Sequence, residues 1–149
     1  MTDPSTSSSS GGGARSVDPS LFRLFVDSEM RKAQRLRYAI SVICVGAKAL
    51  ANEVASAEWF LDLFRRQLRA TDVVALWPPD SLTVLLIDAE SGDVPTVMRR
   101  VTADLAEGSW SAGAVSYPRA NPVVDDILRQ AMNLMERASR DPDQSLYLA

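Results

Sequence analysis

Residues 69–86 read R-A-T-D-V-V-A-L-W-P-P-D-S-L-T-V-L-L, and they constrain this chain more than any other stretch. Val73, Val74, Ala75, Leu76 and Trp77 form an apolar run rich in strand formers. Pro78-Pro79-Asp80 interrupts it, and Leu82, Val84, Leu85 and Leu86 form the return run. Two such runs around a turn cluster predict a β-hairpin. An Arg and an Asp, Arg69 and Asp72, stand just ahead of the first strand, and Asp80 stands in the turn.

The rest of the chain supplies elements around that hairpin. Asp18-Pro19-Ser20 is a helix start, a capping Asp followed by Pro in the first turn. Leu21, Leu24, Phe25, Ser28, Arg31 and Lys32 continue at helical spacing to about Leu36. Residues 39–45 (A-I-S-V-I-C-V) are a buried strand by length and β-branched content. Residues 49–69 read as one helical stretch, and residues 94–107 as another, with Val94, Val97, Met98, Val101 and Leu105 on one face. A strand over 109–118 ends at Pro118. A helix over 123–140 places Leu128, Ala131, Met132, Met135 and Ala138 together, and Ser145 to Leu148 supply a last edge strand.

Several of these pieces resemble the GGDEF domain of diguanylate cyclases. Arg69-x-x-Asp72 fills the position of that family's inhibitory-site R-x-x-D, with the family's spacing to the turn. The turn itself reads Pro78-Pro79-Asp80-Ser81-Leu82, so one acid of the G-G-D/E-E-F signature remains and both glycines are replaced. Gly113-Ala114-Val115-Ser116-Tyr117-Pro118 is similar to the family's G-x-A-x-Y/F-P strand. Leu128, Ala131, Leu134, Met135 and Ala138 match its final helix, and the piece from Phe25 to Arg35 matches its opening helix loosely.

The resemblance implies an α+β fold with a ferredoxin-like core, a central, mostly antiparallel five-stranded sheet flanked by helices. The expected organisation is a Ser/Gly-rich disordered tail or linker over 1–17 and a degenerate GGDEF-like domain over 18–149. The tail contains S-T-S-S-S-S-G-G-G and has little apolar surface to bury.

The resemblance also implies a function. The family's magnesium-binding Asp at the end of the first long strand has no counterpart in Cys44-Val45-Gly46-Ala47-Lys48. The family's second turn acid is Ser81, and its phosphate-contacting Lys is Ser139. Pro78 and Pro79 have no N–H to offer a nucleotide. No catalytic residues, metal or cofactor are therefore expected. What the family would retain here is a receptor site for the bacterial second messenger cyclic di-GMP, at Arg69, Asp72 and Arg100, with Arg99 beside it. Arg only donates hydrogen bonds and a carboxylate only accepts them, which suits the two edges of guanine. The same residues have a plainer reading: Arg69 favours a helix C-terminus, Asp72 pairs with a neighbour, and Arg99 and Arg100 are a solvated face. The alternative function is a protein-interaction or homodimerisation module, with a solvent-facing Trp77/Pro78/Pro79 corner as the contact.

Composition narrows the partners. A net charge of −3 gives no electrostatic case for nucleic acid. The cations are nearly all Arg, with Lys32 and Lys48 the two lysines. Without histidine, and with Cys44 as the sole cysteine, the chain offers no His/Cys zinc site and no His-activated nucleophile. No apolar run reaches membrane-spanning length and no secretory signal opens the chain, so cytoplasmic placement without membrane insertion is expected.

Overall fold

The computed structural model describes residues 13–47, 54–78, 80–119 and 122–149. The elements in chain order are β1 (Arg15–Val17), α1 (Pro19–Leu36), β2 (Ile40–Ala47), α2 (Val54–Gln67), β3 (Val73–Trp77), β4 (Ser81–Ile87), α3 (Val94–Val101), β5 (Trp110–Tyr117), α4 (Val124–Ser139) and β6 (Leu146–Leu148). A short 3-10 turn, Ser91–Asp93, leads into α3.

The hairpin forms as its pattern predicts. β3 and β4 pair antiparallel, with Trp77 opposite Ser81 and Val73 opposite Leu85. Pro79 lies outside the described residues, so the middle of the turn is not part of the account. β2 pairs antiparallel with both β4 and β5 and is the centre of the sheet. The strand order is β1-β3-β4-β2-β5-β6. The two edge strands, β1 on β3 and β6 on β5, run parallel to their neighbours. The sheet is thus α+β and mostly antiparallel, with six strands where five were expected.

The sixth strand corrects the expected tail boundary. Residues 13–17 belong to the fold: Ala14 is buried and β1 pairs residue for residue with Val73 to Ala75. Ala14 N–H donates to the Arg65 carbonyl at 2.8 Å, and Arg15 N–H donates to the Asp72 carbonyl at 3.1 Å. Gly13 permits this entry. Its φ is +87°, and a Cβ there would collide with the Arg65 backbone. The expected disorder over residues 1–12 lies outside the described residues.

Side chains alternate across the strands, and each face receives two helices. On one face, Val42, Cys44, Val73, Ala75, Leu85 and Val115 meet α1 and α4. On the other, Ile43, Val45, Val74, Val84, Leu86 and Ala114 meet Phe60 and Phe64 of α2, Leu68 just after it, and Met98 of α3. Asp18 caps α1, its carboxylate accepting from Leu21 N–H at 2.8 Å, and Pro19 opens the helix. The buried stripe of α1 is Phe22, Val26, Met30 and Ala33, while Leu21 and Leu24 are 41% and 65% exposed. The expected helix over 94–107 ends early. Both the N–H and the hydroxyl of Thr102 bond to the Met98 carbonyl, and the chain then turns through Gly108 at φ +76°. Residues 49–53, expected to be the start of the helix over 49–69, lie outside the described residues, as does Lys48.

α4 lies directly on β5 because residue 113 has no side chain. A Cβ on Gly113 would stand inside 3.0 Å of the Ala131 carbonyl oxygen and the Met135 amide nitrogen. Gly113→Ala is expected to cost about 3 kcal/mol or more, because the obstacle is helix backbone rather than a flexible side chain. Urea denaturation would measure it. Deleting residues 1–17 is expected to cost about 2 kcal/mol, from the lost β1 hydrogen bonds and the exposed Ala14 pocket, and would appear as a lower melting temperature.

Candidate functional site

The corner between α2 and β3 is built on one carboxylate. Asp72 is 2% exposed although it sits in a loop. Its Oδ2 accepts from the Arg69 N–H at 3.0 Å and its Oδ1 from the Ile87 N–H at 3.0 Å. Its own N–H returns to the Arg69 carbonyl at 2.9 Å, which closes a tight local turn. One side chain therefore ties the end of α2, the start of β3 and the end of β4 together.

Arg69 projects from this corner with its side chain 58% exposed. Its Nε lies 3.6 Å from Asp72 Oδ2, and its terminal nitrogen donates to the Ile87 carbonyl. The guanidinium is held at its base and open at its outer edge. Arg100, on the last turn of α3, donates to the Gln67 carbonyl at 2.9 Å, two residues before Arg69. Arg99 is exposed beside it. Arg65 and Arg66 end α2, both paired to Asp62 at 2.7 and 2.8 Å. The predicted residues Arg69, Asp72 and Arg100 thus converge on one end of α2, with Arg99 adjacent. Arg100 satisfies a helix-terminal carbonyl there, as a cation at a helix C-terminus does, while Arg69 bonds the carbonyl at the end of β4. Asp72 faces inward to backbone N–H groups, so the plainer reading of that carboxylate describes its position.

Sequence reasoning missed two participants. Arg15 of β1 bonds the Asp72 carbonyl, and Ile87 provides one donor to Asp72 and one acceptor to Arg69. The i,i+3 spacing of Arg69 and Asp72 carried a hint: an Asp three residues after a helix end can bond back to the chain. Nothing in the sequence pointed to Ile87.

At the hairpin tip the geometry is different. Ser81 is buried, with its hydroxyl 3.4 Å from Asp80 Oδ1, and Asp80 is exposed. A cleft of about 1170 Å³ runs from there past Gly46, Trp110 and Glu136 to Ser139. The Ser139 hydroxyl is spent on the Glu136 carbonyl at 2.6 Å. Cys44, on β2, is fully buried, and burial pushes its thiol up to about 12, which leaves it a protonated core group. Among the described residues no cluster of three or more His, Cys, Asp or Glu side chains could hold a metal ion. Trp77 does not face solvent as expected for an interaction corner. It is half-buried, its ring edge-to-face with Phe22 at 6.0 Å. No described helix is long and apolar enough to cross a membrane.

Similarity to solved structures accounts for this architecture. The GGDEF domain of YfiN (also TpbB) from Pseudomonas aeruginosa superposes with a TM-score of 0.75 at 21% identity, over 89% of this chain and 96% of that one. The active GGEEF domain of a diguanylate cyclase from Vibrio cholerae gives 0.73 at 14%, over 91% and 96%. The coiled coil and GGDEF domain of DgcB from Caulobacter crescentus, solved in complex with c-di-GMP, gives 0.70 at 9%, over 89% and 81%. No family model and no curated protein matches the sequence.

The corner makes a stability contrast. Asp72→Ala strands two backbone N–H groups and is expected to cost about 2–3 kcal/mol. Arg69→Ala removes a half-exposed side chain and is expected to cost under about 1 kcal/mol. Paired urea melts would show the difference, and equal losses would contradict this assignment.

Proposed function

We propose that this chain, which has the GGDEF fold, is a domain that binds cyclic di-GMP without synthesising it. The observation that carries the reading is the state of Arg69. Its guanidinium is anchored on Asp72 and Ile87 and remains 58% exposed, beside Arg99 and Arg100. Such a fork is oriented before a ligand arrives and loses little freedom on binding. It would take a phosphate or the O6/N7 edge of guanine, with the α3 arginines neutralising the ligand's second phosphate. Asp72 then acts mainly by holding Arg69. A similarly folded domain, that of DgcB, was solved in complex with the same dinucleotide, which makes it the first ligand to test.

The absence of synthesis belongs to the same proposal. Joining two nucleoside triphosphates needs metal ions held by carboxylates and phosphates. In the cleft, Ser81 and Ser139 offer hydroxyls already turned to local partners. Asp80 is the acid of the hairpin turn and stands alone there. A second reading, a protein-interaction module, draws on the exposed Leu21 and Leu24 of α1. A domain of the same fold, diguanylate cyclase SiaD from Pseudomonas aeruginosa, was solved with an activator protein.

Titration calorimetry separates the two readings. Wild type is expected to bind cyclic di-GMP at micromolar levels. Arg69→Ala is expected to weaken binding at least about tenfold, since a charge-assisted hydrogen bond contributes about 1.5–3 kcal/mol. Arg100→Ala should cost less, with Arg99 adjacent, and Asp80→Ala should change nothing. GTP with magnesium should give no cyclic di-GMP above a blank. No binding at tens of micromolar would leave the interaction module as the reading, and steady turnover would refute the loss of catalysis.

A further inference from the structure

A second cleft, of about 490 Å³, opens at the same end of the sheet and is lined by Arg37, Tyr38, Asp88, Glu90, Tyr117 and Pro118. Its volume is in the range of small-ligand sites, roughly 300–1,000 Å³. Two of its residues stand out by backbone. Arg37 has φ +63° and Asp88 has φ +56°, and among the described residues they are the two non-glycine positions with positive φ. Arg37 follows the last turn of α1, where a left-handed residue is most often glycine. Asp88 ends β4, where glycine would also adopt the conformation at no steric cost. Both sites instead carry a charged side chain, and both line one cleft.

The side chains are available. Neither the Arg37 guanidinium nor the Asp88 carboxylate has a hydrogen bond or ion pair among the described residues. The neighbouring acids are occupied: Asp93 Oδ2 accepts from Glu90 N–H at 2.9 Å, and the Glu90 carboxylate accepts from Asp93 N–H. Tyr38 is fixed, its hydroxyl donating to Glu29 Oε1 at 2.9 Å, and burial and Glu29 together push its pKa up to about 12. Tyr117 is half-buried in β5, opposite Ile40. The cleft therefore combines one free donor fork, one free acceptor pair and two aromatic rings.

We propose that this cleft binds a guanine-type base, with Arg37 donating to the O6/N7 edge, Asp88 accepting from the N1–H and exocyclic amine, and Tyr38 and Tyr117 supplying aromatic walls. Guanine carries both edges in one plane, whereas adenine has no O6 acceptor or N2 amine to match them. The lining of this cleft includes none of Arg69, Asp72, Arg99 and Arg100, so its occupancy does not rest on that corner binding anything.

The test is a ¹H–¹⁵N titration of the full chain with GMP, with AMP as the control for the phosphate. GMP is expected to shift the amides of Tyr38, Ala39, Asp88 and Ala89 saturably, and AMP to bind at least about tenfold more weakly. Arg37→Gly and Asp88→Gly remove the recognising groups and suit the backbone, so each should lose GMP affinity at least about tenfold with an unchanged or higher melting temperature. Asp88→Asn keeps a residue that tolerates positive φ and should show the same loss. No saturable shifts at these amides, equal response to AMP, or full affinity in both glycine variants would overturn the proposal. GMP binding lost in Arg69→Ala but kept in Asp88→Gly would place the ligand at the other corner and overturn it too.

Discussion

The end of α2 and the end of β4 meet at the Asp72 carboxylate. Burying a charge is costly unless its lone pairs are used, and backbone N–H groups from Arg69 and Ile87 use them here. The main chain of Asp72 extends the junction. Its carbonyl holds Arg15 of β1, while the neighbouring Arg65 carbonyl holds Ala14. The entry of the chain, the end of α2 and both strands of the hairpin are thereby fixed at one point. The arginines around that point keep their outer edges in water, so the same junction that secures the fold also presents positive charge.

The two ends of the sheet have diverged in what they offer. At the hairpin tip, hydroxyls and carbonyls satisfy one another and a buried thiol lies within β2. At the other end, the Arg69 guanidinium is anchored on Asp72 and Ile87 and stays open outward, and Arg37 and Asp88 stand at backbone positions of positive φ. A ligand gains most where the protein has already borne the cost of orientation, and that argument directs attention away from the cleft with the larger volume.

Much of this was legible in the sequence because the signals were local. The hairpin followed from two apolar runs around a proline turn, and α1 from Asp18 and Pro19. Gly113 and Tyr117-Pro118 marked β5. The failures were of a different kind. β1 is three residues long and follows a Ser/Gly-rich stretch, so its pairing with β3 is a tertiary fact without a periodic trace. In α1, apolar residues occur on two faces. Spacing alone favoured Leu21 and Leu24, whereas the sheet selected Phe22, Val26, Met30 and Ala33. Asp72 was visible as a motif residue, but its inward direction depends on Ile87, fifteen positions away. The left-handed conformations of Arg37 and Asp88 left no compositional mark, since neither residue is a glycine or an asparagine.

The short outer strands bear on how copies of this domain meet one another. A long, flat sheet edge is a template on which another chain can add a strand, and such templates seed aggregation. Here both edges stop after three residues, at β1 and β6, and each runs parallel to its neighbour. Arg15 adds a charge on the first edge, its guanidinium lying over the Phe25 ring at 5.3 Å. An incoming strand would find few unpaired backbone groups on either side. A strand added at either margin would have an outer strand of only three residues to pair with.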